Sequence, residues 1–233
     1  MRSSVNKMLT RFALASALLA SAASAHADLS FFTSEAAFLS YLPHPVTDNY
    51  ADLGASVGQD LGTPVTRSVG SFGYGLFAYN DFASDYDTIY VTGTSSNPAI
   101  STTNNGSILI VDRMTGGATA FGAYIWGASG SDEFRSGSTI NFEVLDADGV
   151  DKLYSFTPTA ADQGSFIGVI STSALQIVNA WIVPTQANID DLPYVIMDNV
   201  TLDVAAAVPE PANYALLLGG LAVIAAVARR RKA

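Results

Sequence analysis

Thr139-Ile-Asn-Phe-Glu-Val-Leu145, then Asp146-Ala-Asp-Gly149, then Leu153-Tyr-Ser-Phe156 is the stretch that decides the fold class. Ile140, Phe142 and Val144 alternate with Asn141, Glu143 and Leu145, the period-two pattern of a strand with one apolar and one partly wet face. Asp146 to Gly149 carries turn chemistry, with Gly149 able to take a positive φ. The unit reads as a hairpin. Further segments rich in β-branched and aromatic residues predict strands at Phe72–Tyr79, Thr88–Val91, Ser107–Val111, Phe121–Trp126, Phe166–Ile170, Leu175–Val183 and Tyr194–Val204. One short helix is expected: Ser34 as N-cap, Glu35 in the first turn, then Ala36 to Tyr41, stopped by Pro43. The expected fold is mostly β, a single antiparallel β-sandwich or jelly roll with one N-terminal helix.

Both ends differ from this body. Arg2, Lys7 and Arg11 precede the short apolar run Phe12–Ala20, and Ala25-His26-Ala27 forms an A-x-A site. Together these predict a signal peptide over residues 1–27, with Ala25 and Ala27 flanking the cleavage position. Ala23-Ser24-Ala25 is a competing site. At the other end, Val208-Pro209-Glu210-Pro211 is held extended by its prolines. Uncharged residues then run from Ala212 to Ala228, near the lower length limit for crossing a bilayer. Arg229, Arg230, Arg231 and Lys232 form a basic stop that stays cytoplasmic. The expected organisation is a signal peptide, a β domain over 28–207, and a tail over 208–233 that includes a membrane-spanning helix.

This tripartite tail resembles the PEP-CTERM sorting signal of Gram-negative bacteria that make exopolysaccharide. The resemblance implies that exosortase, a membrane-embedded cysteine protease, recognises Val208, Pro209, Glu210 and Pro211 and removes the tail. It implies export through the inner membrane and delivery to the cell surface or extracellular matrix, in a biofilm setting. A permanently anchored surface protein is the alternative. Four shorter segments are similar to parts of PEP-CTERM jelly-roll bodies: Phe32-Thr-Ser-Glu-Ala-Ala-Phe38, Thr119-Ala-Phe-Gly122, Ser165-Phe-Ile-Gly168 and Met197-Asp-Asn-Val-Thr-Leu202. They imply a lectin-like or galactose-binding-like sandwich.

Charge narrows the partners. Of 11 Lys and Arg, three fall in the signal peptide and four in the tail; of 21 acids, only Glu210 lies outside the body. The body thus carries four bases against 20 acids, a net −16. Such a surface repels nucleic acid, so none is expected as a partner. With no cysteine, thiol catalysis and zinc-thiolate sites are excluded. His44 is the sole imidazole of the body, between Pro43 and Pro45, and no Gly-x-Ser-x-Gly elbow accompanies it. No catalytic residue is assigned. A glycosidase built from carboxylates, Glu143 with Asp198 or Asp203, is the enzymatic alternative. Asp146, Asp148 and Asp151 surround a glycine and, with Asp198, form the candidate Ca²⁺ ligands, although the loop departs from the EF-hand pattern and also reads as a plain hairpin turn. Asn80, Asp81, Asp85, Asp87, Asp190 and Asp191 are further acidic loop positions. Tyr79, Tyr86, Tyr90, Tyr124, Trp126 and Trp181 are candidate sugar platforms. Of these, Trp181 is expected in the core and Tyr86 on the surface. The expectation is a non-enzymatic structural or carbohydrate-binding protein whose partners are exosortase, exopolysaccharide and, before processing, the membrane.

Overall fold

The computed structural model describes residues 29–80, 85–130, 133–149, 151–172, 175–185 and 192–205. The signal cleavage residues Ala25 and Ala27, the sorting residues Val208 to Pro211 and the basic stop Arg229 to Lys232 lie outside them, as do Asp81, Asp190 and Asp191. Among the described residues no helix is long and apolar enough to cross a membrane.

Among the described residues fifteen strands, numbered in chain order, form two antiparallel sheets. The first runs β1 (Leu29–Phe32), β13 (Phe166–Ser171), β10 (Ala120–Ala128), β15 (Tyr194–Asp203), β8 (Asn97–Thr102), β7 (Ile89–Thr94) and β3 (Asp60–Gly62). To it β2 (Val46–Asp48) adds on β15. The second runs β12 (Asp151–Phe156), β11 (Thr139–Asp146), β14 (Ile177–Thr185), β9 (Ile108–Thr115), β5 (Phe72–Asn80) and β4 (Val65–Val69), with β6 (Asp85–Asp87) on β5. The deciding hairpin is present. Leu145 pairs with Asp151, the Asp148 amide donates to Asp146 Oδ1 at 3.0 Å, and Gly149 takes φ +78°.

The sheets pack face to face because each offers one apolar side. Phe121, Ile125, Ile100 and Met197 from the first meet Leu76, Val111, Phe142 and Ile182 from the second. The rings of Phe121 and Phe142 stack at 5.8 Å between the layers. Arg67 ties the sheets together at one side. Its guanidinium grips Asp48 of β2 through Nε and Nη2 at 2.9 and 2.8 Å, and also holds Asp52. It lies over the Tyr50 ring, while the Tyr74 hydroxyl donates to Asp48 at 2.7 Å.

Helix α1 (Glu35–Leu39) starts at Ser34, whose side chain accepts from the Ala37 amide, as expected. It lies on the outer side of the first sheet, where buried Phe38 sits over Gly122 and Gly168. A Cβ at either glycine would stand 2.7 Å from that ring. Here the absence of a side chain is what lets the helix dock. The helix covers one end of this outer face; further along it Ala99, Trp126, Ala128 and Ile196 form a second buried cluster with Tyr124 and Phe134 packed against it.

Candidate functional site

The open part of the first sheet's outer face holds a groove. One cavity, about 380 Å³, is bounded by Glu35, Thr47, Asn97, Tyr124, Asp162, Asp198 and Asn199. A second, about 220 Å³, is lined by Thr92, Ala99, Trp126 and Ile196 and shares Asn97, Ala161 and Asp198 with the first. Shared walls make them one depression, in the size range of about 300–1,000 Å³ usual for ligand sites.

Strand register explains the grouping. Tyr124 of β10 faces Asp198 of β15, and Trp126 faces Ile196. Because Met197 and Ile125 point into the core, their neighbours point outward. Asn199 ought then to point inward, but a bulge intervenes. Between the pairs Gly122–Thr201 and Tyr124–Asp198, β10 advances two residues and β15 three, and Asn199 takes φ +52°. Consecutive residues Asp198 and Asn199 therefore both reach the groove.

Asp198 is 6% exposed and has no cationic partner among its hydrogen bonds. Its carboxylate accepts from the Asn199 amide at 2.7 Å and from Asn199 Nδ2 at 3.2 Å. Burial raises its pKa to about 6, making it a weaker acid, only partly opposed by that backbone bond. The Tyr124 hydroxyl donates to Glu35 Oε2 at 2.5 Å, and its ring meets Phe166 edge-on. Burial first, and then the carboxylate acceptor, push this phenol well up, so it stays neutral. Asp162 caps the 3-10 turn Gln163–Ser165 by accepting from the Gly164 amide. Two further groove residues carry buried polar atoms that no protein group satisfies, Trp126 Nε1 and Thr92 Oγ1. Such orphans cost about 1–3 kcal/mol each when nothing binds them.

The arrangement sets the partly exposed ring of Tyr124, and the edge of Trp126 that its 8% exposure leaves accessible, beside carboxylate, amide and hydroxyl groups, the combination that recognises polyhydroxylated ligands. A smaller hollow of about 190 Å³ lies along the same face between Tyr90, Thr102, Thr103 and Tyr194. The β8 wall escaped sequence reading because Asn97-Pro-Ala-Ile-Ser-Thr102 is small, polar and interrupted by proline. The pair Asp198-Asn199 within an otherwise apolar strand was the available signal.

Other expected site residues fall elsewhere. Asp146, Asp148 and Asp151 belong to the β11–β12 hairpin of the second sheet, apart from Asp198 in the first. Among the described residues no three acidic or histidine side chains gather closely enough to hold a metal ion. Glu143 likewise stands on the second sheet, beside Asp151, so it is not brought together with Asp198 or Asp203. Asp87 is a structural acid that accepts from the Thr88 amide and from both nitrogens of Asn104. His44 is exposed and donates its backbone amide to Asp203 at 2.8 Å. Trp181 departs from the core expectation: Ala180 and Ile182 are buried, and alternation turns Trp181 to the outer side, half-buried. Tyr86 is 66% exposed, as expected.

No protein-family model matches the chain, and no curated protein matches its sequence. Among solved structures it is similar to the Clostridium thermocellum endo-1,4-β-D-xylanase 10B modules complexed with xylohexaose, at 12% identity over 59% of this chain and TM-score 0.35. The chain spans 27% of that structure's length. It is also similar to the C-terminal family 22 carbohydrate-binding module of the same xylanase, at 13% identity over 61% of this chain and 91% of that one, TM-score 0.32. A family 11 carbohydrate-binding module of a C. thermocellum cellulosomal cellulase aligns at 12% identity over 63% of this chain and 95% of that one, TM-score 0.28. These likenesses are distant, and the reading of the groove rests on its own residues.

Proposed function

We propose that this is an exported, non-catalytic, jelly-roll-like protein that binds polysaccharide in the groove of its first sheet. The observation that carries this reading is the meeting of Tyr124 and Trp126 with Asp198, Asn199 and the unsatisfied Trp126 Nε1 and Thr92 Oγ1. Sugar rings supply apolar faces to aromatic side chains and hydroxyls to the polar atoms. Glu35 accepts from Tyr124 and Asp162 caps a turn, so both acids also hold the groove wall in place. The tail resemblance supports delivery to the surface or exopolysaccharide matrix of a Gram-negative cell after exosortase acts at Pro209-Glu210-Pro211. A hydrolase is the second reading, favoured by the raised pKa of Asp198, which keeps its proton nearer to neutral pH as a general acid requires.

Co-sedimentation of the purified protein with host exopolysaccharide tests the binding. Asn199→Gly keeps the positive-φ backbone and removes the amide. It is expected to weaken retention about tenfold, the scale of one lost hydrogen bond to a charged or sugar group. Retention unchanged in this variant and in Tyr124→Ala would place binding elsewhere. Release of reducing ends, abolished by Asp198→Asn, would favour the hydrolase.

A further inference from the structure

We propose that the groove selects sugars bearing a free amine, such as an N-deacetylated hexosamine polymer, over neutral and acidic glycans. This inference rests on the polysaccharide-binding reading and names its ligand class. Three carboxylates, Glu35, Asp162 and Asp198, line the groove, and Arg67, Arg113, Arg135 and Lys152 are all absent from its walls. Arg67 is committed to Asp48 and Asp52, and Arg113 lies over Phe77 on the second sheet.

A buried carboxylate is normally paired with a cation or heavily hydrogen-bonded. Among the described residues Asn199 alone donates to Asp198, and burial, which that donor only partly offsets, raises its pKa. A ligand ammonium would supply the missing charge, while acidic sugars would meet the carboxylates of the groove wall. The aromatic floor and the orphaned Trp126 Nε1 and Thr92 Oγ1 argue for a hydroxylated ring around that amine, since a simple cation would leave them unsatisfied. The body's net negative charge adds long-range attraction for a polycation.

The test is titration calorimetry of the full protein at a pH where the sugar amine is charged. The probes are a glucosamine hexasaccharide, its N-acetylated counterpart, cellohexaose and hexalysine, in physiological salt. The expected result is glucosamine binding at least tenfold tighter than any other probe. Asp162→Asn, which retains a turn-capping oxygen, and Asp198→Asn should each cut that preference severalfold. Equal or tighter binding of the acetylated or neutral oligosaccharide overturns the amine inference and leaves the polysaccharide reading standing. Equal binding of hexalysine overturns it as unspecific charge attraction. Binding of no probe also overturns it, and co-sedimentation with exopolysaccharide then decides the broader reading by itself.

Discussion

Asp198 shows how a single residue trades stability for a site. Its pKa is raised in the folded protein to about 6 from an ordinary 3.8, so the ionised form opposes folding. The cost is full above the folded value and fades as pH falls through about 6 towards 4. Asp198→Asn is therefore expected to raise the melting temperature near pH 8, with the gain shrinking near pH 4, while sugar binding weakens. Thermal melts at the two pH values check the sign. Arg67 has the opposite character. With its side chain only 10% exposed and gripping Asp48, itself 6% exposed, it neutralises a charge that would otherwise lie buried alone. Arg67→Met should cost about 3–5 kcal/mol in denaturant unfolding. Arg67→Lys should recover part of it, because charge is kept and the fork is lost.

At the scale of elements, the short helix and two central strands form a lock. Phe38, Gly122, Phe166 and Gly168 lie far apart in sequence, yet they meet beneath α1, with Asp198 in the groove that Glu35 of the helix also lines. The small residues among them are steric necessities of helix docking. Gly122→Ala or Gly168→Ala is expected to destabilise by about 1–3 kcal/mol through overpacking against Phe38, measurable by calorimetry. A double variant with Phe38→Leu should recover some of that loss, since the clashing ring is gone. The period-two strands were legible in sequence, as were Ser34 and the Asp146–Gly149 turn, because propensity and local hydrogen bonds act over a few residues. Strands β1, β2, β3, β4, β6 and β8 were not legible. They are short or polar; β1 and β2 are held by strands more than a hundred residues on, β13 and β15, while β4, β6 and β8 form hairpins with the strands beside them in sequence.

For the whole molecule, the body carries a strongly acidic composition with a groove on one outer face, and the proposed role of the tail motif is to address it outward. Replacing Pro209-Glu210-Pro211 with Ala-Ala-Ala should leave the protein cell-associated at full tail mass in the native host, as read by intact-protein mass spectrometry. Release at the processed mass despite the change would remove exosortase from the account. By itself the sequence determined the β class, the missing thiols, the acidic body and the terminal motifs, since each depends on composition or on residues within a few positions of one another. Only the tertiary structure decided that Asp198 and Asn199 share a face through a bulge, that Glu143 lies on the other sheet, and that Trp126 lines the groove while Trp181 leaves the core. Those facts depend on strand register and sheet pairing, where one extra residue reverses the side to which a side chain points.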